Sequence, residues 1–217
     1  MSDECWRWMT TAGAAKAFER GDQLVRQDEA RAQVFILLVG HVRITRIEAS
    51  GAELTLSVRG PGEVLGDMAA IESEPRRRSA TAIALGRCHT RVLSVTDFEA
   101  GIDEFKMRKA LAGHFADRYR EGEQIRAENS LPALQRIAAL VCRLAASVGH
   151  AVGEDVIIDA GVSQEDLRRA VQLSPSTFGA GIKTLRDLGL LTTARGRLAV
   201  HRLEGLRHLA DSGSVER

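Results

Sequence analysis

Short hydrophobic runs separated by glycine dominate the chain up to about residue 95, and hydrophobic residues at helical spacing follow. In the first part, apolar positions alternate with polar ones, as they do in half-buried strands. The predicted strand segments are residues 34–39, 42–44 and 54–58, with a further cluster at 80–83 and 92–95. Many short strands at this spacing predict an antiparallel sandwich or a barrel-like roll.

A long helix is predicted over residues 105–129, with Thr96 and Asp97 as a helix N-cap shortly before it. Its apolar stripe through Leu111, Phe115 and position 118 or 119 is narrow. The helix is therefore expected either to pack on the roll or to pair with a second copy of itself. Pro132 interrupts the helical pattern and marks a domain boundary.

The C-terminal pattern predicts a helix-turn-helix followed by a two-stranded wing. An amphipathic helix follows Pro132 and ends before Gly149, and residues 156–158 form a short apolar strand. Ser163 and Ser174-Pro175 then open two short helices joined by a tight turn. Residues 190–200 form a hairpin with an Arg-Gly-Arg tip. The expected class is α+β, with a β-roll effector domain (1–104), a dimerisation helix and hinge (105–131) and a winged helix-turn-helix domain (132–217).

Composition narrows the function classes. Apolar residues make up 44% and charged residues 27% of 217 residues, which is typical of a globular protein. No apolar run approaches the roughly 20 residues of a membrane-spanning helix. The N-terminus lacks the basic start and apolar stretch of a secretory signal, so a cytoplasmic location without membrane contact is expected.

Charge and cysteine usage add little. Residues 1–129 hold 19 basic and 20 acidic side chains, and residues 130–217 hold 11 and 9, which neither requires nor excludes a nucleic-acid partner. Cys5, Cys88 and Cys142 lie far apart and are interpreted as buried or unused thiols. Three thiolates also cannot supply the four ligands of an ordinary all-cysteine iron–sulfur cluster.

Histidine and tryptophan residues offer few further sites. Cys88-His89 is the only adjacent cysteine–histidine pair, but neighbours on a strand point to opposite faces, which disfavours haem or metal binding there. His41, His114 and His150 are interpreted as ordinary surface or packing residues. The N-terminal segment with Trp6 and Trp8 either packs on the roll or reaches the partner subunit, and packing is expected.

Several segments together resemble one regulator family in order and spacing. In the roll they are residues 18–28, 34–43, 62–71 and 76–80, and in the C-terminal part they are 136–138, 163–167 and 189–191. On these residues the chain resembles the Crp/Fnr superfamily of bacterial transcription regulators, typified by the cyclic-AMP receptor protein, across nearly its whole length.

The resemblance implies a phosphate-binding cassette in the roll. The matching positions are Gly66, Asp67, Met68, Arg78 and Ser79, with Glu121 of the long helix near the purine of a bound nucleotide. Backbone N–H groups at a helix start and an arginine suit a phosphate monoanion. Two positions depart from the pattern: the usual Glu is Asp67, one methylene shorter, and a carboxylate at Glu121 replaces a polar Thr-Ser step. A cyclic nucleotide, another small effector and an empty, degenerate pocket all remain open.

The same resemblance places the DNA-reading residues on and around the second helix of the helix-turn-helix. Pro175, Ser176 and Ala180 stand where long polar readers would be expected, which favours phosphate positioning and DNA shape over direct base reading. The candidate DNA-binding residues are Gln164, Arg168, Arg169, Ser174, Ser176, Thr177, Lys183, Arg195 and Arg197.

We therefore expect a homodimeric DNA-binding transcription regulator, controlled by a cyclic nucleotide or another small effector in the roll. Its expected partners are double-stranded DNA, a second copy of the chain through the long helix, and RNA polymerase. The alternative is a ligand-binding or protein-interaction module that has lost sequence-specific DNA binding. No nucleophile elbow, P-loop, HExxH or Rossmann fingerprint is present, so an enzyme is not expected.

Overall fold

The computed structural model describes residues 3–30, 32–49, 51, 53–70 and 77–214, with no side-chain description for Leu56, Ala69 and Ala70. Residues 71–76, which include part of the two cassette motifs, lie outside the described residues. Contacts divide the chain into a first unit, Met1–Ala52 with Arg59–Glu121, and a second unit, Glu53–Val58 with Gly122–Arg217.

The helices are α1 (Asp3–Thr11), α2 (Val95–Glu104), α3 (Arg108–Glu128), α4 (Ala133–Val148), α5 (Gln164–Ala170), α6 (Pro175–Asp187) and α7 (Leu203–Ser212), with a 3-10 turn at Asp67–Ala70. The strands are β1 (Ala14–Phe18), β2 (Gln23–Val25), β3 (Gln33–Val39), β4 (Val42–Ile47), β5 (Glu53–Arg59), β6 (Val64–Leu65), β7 (Thr81–Ala84), β8 (Cys88–Ser94), β9 (His150–Val152), β10 (Asp155–Ile158), β11 (Leu191–Ala194) and β12 (Arg197–Val200).

The roll consists of two four-stranded sheets, with strand orders β1-β8-β3-β6 and β2-β7-β4-β5. Side chains alternate along β3, as they must on a pleated strand. Phe35 and Leu37 pack with β4 and β7 residues in one core cluster, while Val34 and Ile36 pack on the opposite face against α1 and α2. The α+β class and the N-terminal antiparallel roll predicted from the alternating pattern are confirmed.

Helix α1 closes one face of the roll, although the sequence pattern did not predict it. The Trp8 ring stacks near Phe98 at 6.4 Å between centroids and contacts Phe105 at 5.6 Å. Trp8 is therefore a packing residue, as expected, whereas Trp6 is 44% exposed. A methyl group added at Gly101 would collide with the Trp8 indole, so the absence of a side chain at this position leaves room for the ring.

Two helix starts differ from the prediction. Ser94, and not Thr96 or Asp97, caps α2, because the Asp97 backbone N–H donates to the Ser94 hydroxyl at 3.0 Å. Lys106 has φ +53°, which breaks the helix, so α3 begins at Arg108 instead of residue 105. None of the residues of α3 is buried.

In the second unit, α4, α6 and α7 pack around buried side chains that include Ile137, Ile182 and Leu206. The predicted two-stranded wing is part of a four-stranded antiparallel sheet with the order β11-β12-β10-β9. The wing is larger than predicted because the 156–158 strand pairs with β12, and β9 adds a further strand. Among the described helices, none has both the length and the hydrophobicity needed to cross a bilayer.

Candidate effector pocket and DNA-binding surface

The cassette begins where β6 ends. Gly66 has φ +85°, a conformation that strains any other residue, and a Cβ there would also collide with the Arg78 guanidinium. Arg78 is buried; its Nη1 donates to the Gly66 carbonyl oxygen at 3.2 Å and its Nη2 donates to the Gln33 carbonyl oxygen. In this structure, Arg78 therefore links the start of β3 to the cassette.

Asp67 is the buried acid of this site, with 1% of the residue exposed. Its Oδ1 lies 3.4 Å from Arg118 Nη1, and its Oδ2 lies 3.3 Å from His114 Nε2 without hydrogen-bond geometry. Arg118 Nη2 also donates to Glu63 Oε2 at 3.0 Å and to the Val64 carbonyl oxygen at 2.8 Å. One guanidinium of α3 thus serves two carboxylates and a carbonyl of the 63–67 segment.

The other predicted effector residues differ in how far they are buried and in what they contact. Glu121 Oε2 forms an ion pair with Arg59 Nη2 at 2.5 Å, so this carboxylate also faces an arginine of the chain. Ser79 and Met68 are exposed. The structure brings Gly66, Asp67 and Arg78 together.

The sequence pattern assigned no effector role to Arg118, and His114 was interpreted as an ordinary surface or packing residue. The two residues are four positions apart on α3 and therefore share a helix face. This spacing is the sequence feature that could have linked them. No local pattern indicates that their partner is Asp67.

An open apolar groove of about 780 Å³ runs along α3 in the first unit. Leu111, Phe115 and Tyr119 line it from α3, together with Ile102 of α2 and Met68 of the cassette. Tyr119 is 69% exposed. The groove therefore places apolar side chains of α3 on an open surface.

The cysteine–histidine pair has the alternation expected of a strand. Cys88 is fully buried and His89 is exposed on the opposite face of β8. Burial raises the pKa of the Cys88 thiol, which keeps it protonated and a poor metal ligand. Within the described residues, no cluster of three potential metal ligands occurs.

In the second unit, α5 begins with a capping box. The Asp166 backbone N–H donates to the Ser163 hydroxyl at 3.1 Å, and the Ser163 backbone N–H donates to Asp166 Oδ2 at 2.9 Å. This reciprocal pair satisfies two helix N-terminal donors and fixes where the helix-turn-helix starts.

Arginines stabilise the turn between α5 and α6. Gln172 adopts φ +53°, Arg168 Nη1 donates to the Leu173 carbonyl oxygen at 2.7 Å, and Arg136 of α4 donates to the Val171 carbonyl oxygen. Arg168 thus holds the turn, which is a structural use that its predicted DNA contact did not anticipate.

The neighbouring Arg169 is also engaged. It pairs with Glu165 at 2.9 Å and with Glu53 at 2.6 Å. Hydrogen bonds from Arg168 and Arg169 lower the pKa of Glu165 to about 2, so this carboxyl is ionised at neutral pH.

The exposed face of α6 follows Ser174, whose hydroxyl accepts from the Thr177 backbone N–H at 3.2 Å and caps the helix. Ser176, Thr177 and Lys183 are exposed, as is Gln164 at the start of α5. In the wing, Arg195 and Arg197 are exposed on either side of Gly196, which has φ +70° as the hairpin turn requires. The described surface of the second unit therefore presents hydroxyl groups and the cationic side chains of Lys183, Arg186, Arg195 and Arg197 on α6 and the wing.

Together, these elements give the fold class of the protein: a cyclic-nucleotide-binding-type roll, then a long helix, then a winged helix-turn-helix. Residues 15–105 match the family model of the cyclic nucleotide-binding domain. The chain is 26% identical over 187 residues to the CRP-like cAMP-activated global transcriptional regulator of Mycobacterium tuberculosis, covering 79% of this chain and 77% of that relative. It is 24% identical over 192 residues to the cyclic AMP receptor protein of Thermus thermophilus, covering 76% and 88%.

Solved structures show the same fold. FixK2 from Bradyrhizobium japonicum has a TM-score of 0.78 at 20% identity, covering 94% of this chain and 100% of that one. The c-di-GMP responsive regulator CLP of Xanthomonas campestris has a TM-score of 0.75 at 17% identity, covering 92% and 99%. The chain is thus similar, over about three quarters of its length, to two transcription regulators of the cyclic AMP receptor type, and it shares their fold with the solved Crp/Fnr-type structures.

Proposed function

We propose that this protein is a homodimeric transcription regulator that binds double-stranded DNA through its winged helix-turn-helix, and that it is not an enzyme. The observation that carries the proposal is the exposed, capped N-terminal half of α6 together with the two exposed wing arginines, Arg195 and Arg197. A helix of this kind enters the major groove by its N-terminal residues, while the wing contacts the phosphate backbone.

The DNA contacts that we propose divide into two kinds. Ser176 and Thr177 face the groove, where their short hydroxyl groups allow a close approach of α6 and favour phosphate positioning and DNA shape over direct base reading. Lys183, Arg195 and Arg197 neutralise phosphates. The remaining members of the proposed interface are Gln164, Ser174, Arg168 and Arg169. The two arginines contact DNA through the N–H groups that their intramolecular hydrogen bonds do not use.

The proposed dimer forms through α3. The helix has no buried residue, and the open groove beside it is lined by the half-buried Leu111 and Phe115 and the exposed Tyr119. Burying apolar area of this kind contributes about 25 cal/mol per Å². A second α3 related by two-fold symmetry covers both grooves at once.

An effector in the roll is the proposed control, with a cyclic nucleotide as one candidate. The relative from Mycobacterium tuberculosis is described as cAMP-activated, and residues 15–105 match a cyclic nucleotide-binding domain. RNA polymerase is a further proposed partner, and the cytoplasm is the proposed location.

The experiment is selection from a pool of duplexes with a randomised core by the purified full chain at fixed salt, with and without cyclic AMP. We expect a pseudo-palindromic motif whose half-sites are separated by about 10 base pairs, together with a dimeric mass in solution. A sequence-blind pool under both conditions would overturn the proposal.

The second candidate is an interaction module without sequence-specific DNA binding. Pro175, Gly179 and Ala180 are exposed on α6 and carry no long polar side chain that could read a base. A dimer that binds all duplexes weakly and equally would favour this candidate.

A further inference from the structure

The first two turns of α6 carry no side chain that can hold a base by two hydrogen bonds. In a helix-turn-helix, the N-terminal residues of the second helix contact the base edges. Paired hydrogen bonds need arginine or lysine for guanine and asparagine or glutamine for adenine, and a carboxylate accepts from cytosine. None of these residue types occurs between Ser174 and Ile182. Lys183 begins the third turn, where we place a phosphate contact.

The hydroxyl groups at the start of α6 are bonded to one another. Ser174 Oγ lies 3.0 Å from Ser176 Oγ and 2.8 Å from Thr177 Oγ1, and it accepts from the Thr177 backbone N–H at 3.2 Å. A hydroxyl group also both donates and accepts, so it discriminates poorly between bases. These hydroxyl groups therefore stabilise the helix cap and add little sequence information.

Ala180 lies in the middle of the exposed face of α6. Phe178 and Ile182 are buried and fix the side of the helix that faces the core of the second unit. With about 3.6 residues per turn, Ser176, Ala180 and Lys183 lie on the opposite side, and all three are exposed. The central group of this face is therefore a methyl.

The residue next to Ala180 leaves room for a close approach. A Cβ placed at Gly179 would meet nothing within 4 Å, so the surface around the Ala180 methyl is open. Thymine is the base that carries an apolar group, its C5-methyl, at the edge of the major groove. The methyl groups of alanine and threonine are suitable contacts for it.

We propose that Ala180 recognises thymine through its C5-methyl group, so that each half-site of the bound DNA carries a thymine opposite this residue. The inference rests on the proposed function and specifies the sequence class that the same surface selects. Apolar contact then supplies the base specificity of α6, while Lys183 and the wing arginines supply affinity through phosphates.

The test uses the full chain and the duplex recovered by selection, in which each thymine is replaced in turn by deoxyuridine. This replacement removes the C5-methyl and keeps the base pair. Fluorescence anisotropy at fixed salt gives the dissociation constants of wild type and Ala180→Gly. Thr184→Ser is the matched control, because it also deletes one methyl from an exposed residue of α6 and keeps the hydroxyl that donates to the Ala180 carbonyl oxygen at 3.1 Å.

We expect one sensitive thymine in each half-site. Removing its methyl should weaken wild-type binding about fourfold in one half-site and about fifteenfold in both, as the burial of one or two methyl groups predicts. In Ala180→Gly the same replacement should change the affinity by less than about twofold, and in Thr184→Ser the wild-type sensitivity should remain. Comparing duplexes within each protein cancels the lower helix propensity of glycine. Ala180→Ser replaces Ala180→Gly if that variant does not fold.

A second substitution in the DNA separates the methyl group from the rest of the thymine. With cytosine at the sensitive position, adding a 5-methyl group should strengthen binding to the wild type and leave Ala180→Gly unchanged, because only the methyl is returned.

A selected duplex that tolerates deoxyuridine at every thymine would overturn the inference, and so would equal sensitivity of Ala180→Gly and the wild type. Both results leave sequence-specific DNA binding in place. A pool without any preferred sequence overturns the proposed function itself, and the inference with it.

Discussion

Replacing both wing arginines, Arg195→Ala with Arg197→Ala, tests the proposed DNA-binding surface most directly. Both side chains are exposed at the tip of the β11–β12 hairpin, on either side of Gly196. In the proposed arrangement the wing contacts the phosphate backbone and not the base edges. Their removal should weaken binding to every duplex by a similar factor.

The magnitude follows from counting phosphates. Each neutralised phosphate contributes about −0.9 to the slope of log K against log salt, so two arginines in each of two subunits contribute about −3.6. Between 50 and 200 mM salt, the wild type should therefore lose about 150-fold more affinity than the double variant. The difference between the two proteins should be largest at low salt.

The assay is fluorescence anisotropy over a series of salt concentrations, with one selected duplex and one scrambled duplex. Arg207→Ala is the control, because Arg207 lies on α7 of the same unit and pairs with Glu204 at 2.5 Å. An unchanged salt slope, or a loss confined to the selected duplex, would refute the phosphate assignment.

The pKa shifts lead to two further predictions. Because Arg168 and Arg169 lower the pKa of Glu165 to about 2, its stabilising contribution is present above the ordinary value of 4.5 and is lost as pH falls through about 2. Glu165→Gln should therefore reduce the urea midpoint at pH 7 and approach the wild type at pH 2, and an equal deficit at both pH values would contradict the pairing. Burial raises the pKa of Cys142 to about 11, so iodoacetamide should label it slowly at pH 8 in the native protein and quickly in urea, as followed by intact mass; rapid native labelling would show that the thiol is not buried.

The roll was predictable because alternation has a period of two and survives in short strands. Val34 and Ile36 face one side of β3 while Phe35 and Leu37 face the other, so the run reads as continuously apolar and predicts burial on both faces. Helix α1 was missed although Cys5, Trp8 and Met9 have helical spacing, because its nine residues repeat the pattern over little more than two turns.

The helix-turn-helix was predictable for a different reason, since its signals are local. Ser163 and Ser174 cap helices within three residues of their partners, and Pro175 occupies the first position of α6. By contrast, β9 has only three residues, all exposed, which is too short for an alternating pattern, so the size of the wing sheet was underestimated.

The candidate pocket could be predicted by residue type but not by pairing. Gly66 and Arg78 stand where the family resemblance placed them, and the structure joins them directly. The pairs that close the pocket connect positions far apart in sequence: 51 residues separate Asp67 from Arg118, and 62 separate Arg59 from Glu121. Such pairs depend on how α3 packs on the roll, and no local sequence pattern predicts that packing.

The same turns of α3 contribute residues both to the pocket around Asp67 and to the proposed dimer face. His114 and Arg118 face Asp67, while Phe115 and Tyr119, each one residue further along the helix, line the apolar groove. Arg118 itself lines the groove as well as the pocket. A ligand that displaced the Arg118 guanidinium would therefore move a side chain of the dimer surface without touching the partner subunit. In the proposed dimer, one side chain therefore belongs both to the contacts with Asp67 and to the apolar groove, and the two surfaces are linked without a path through the core.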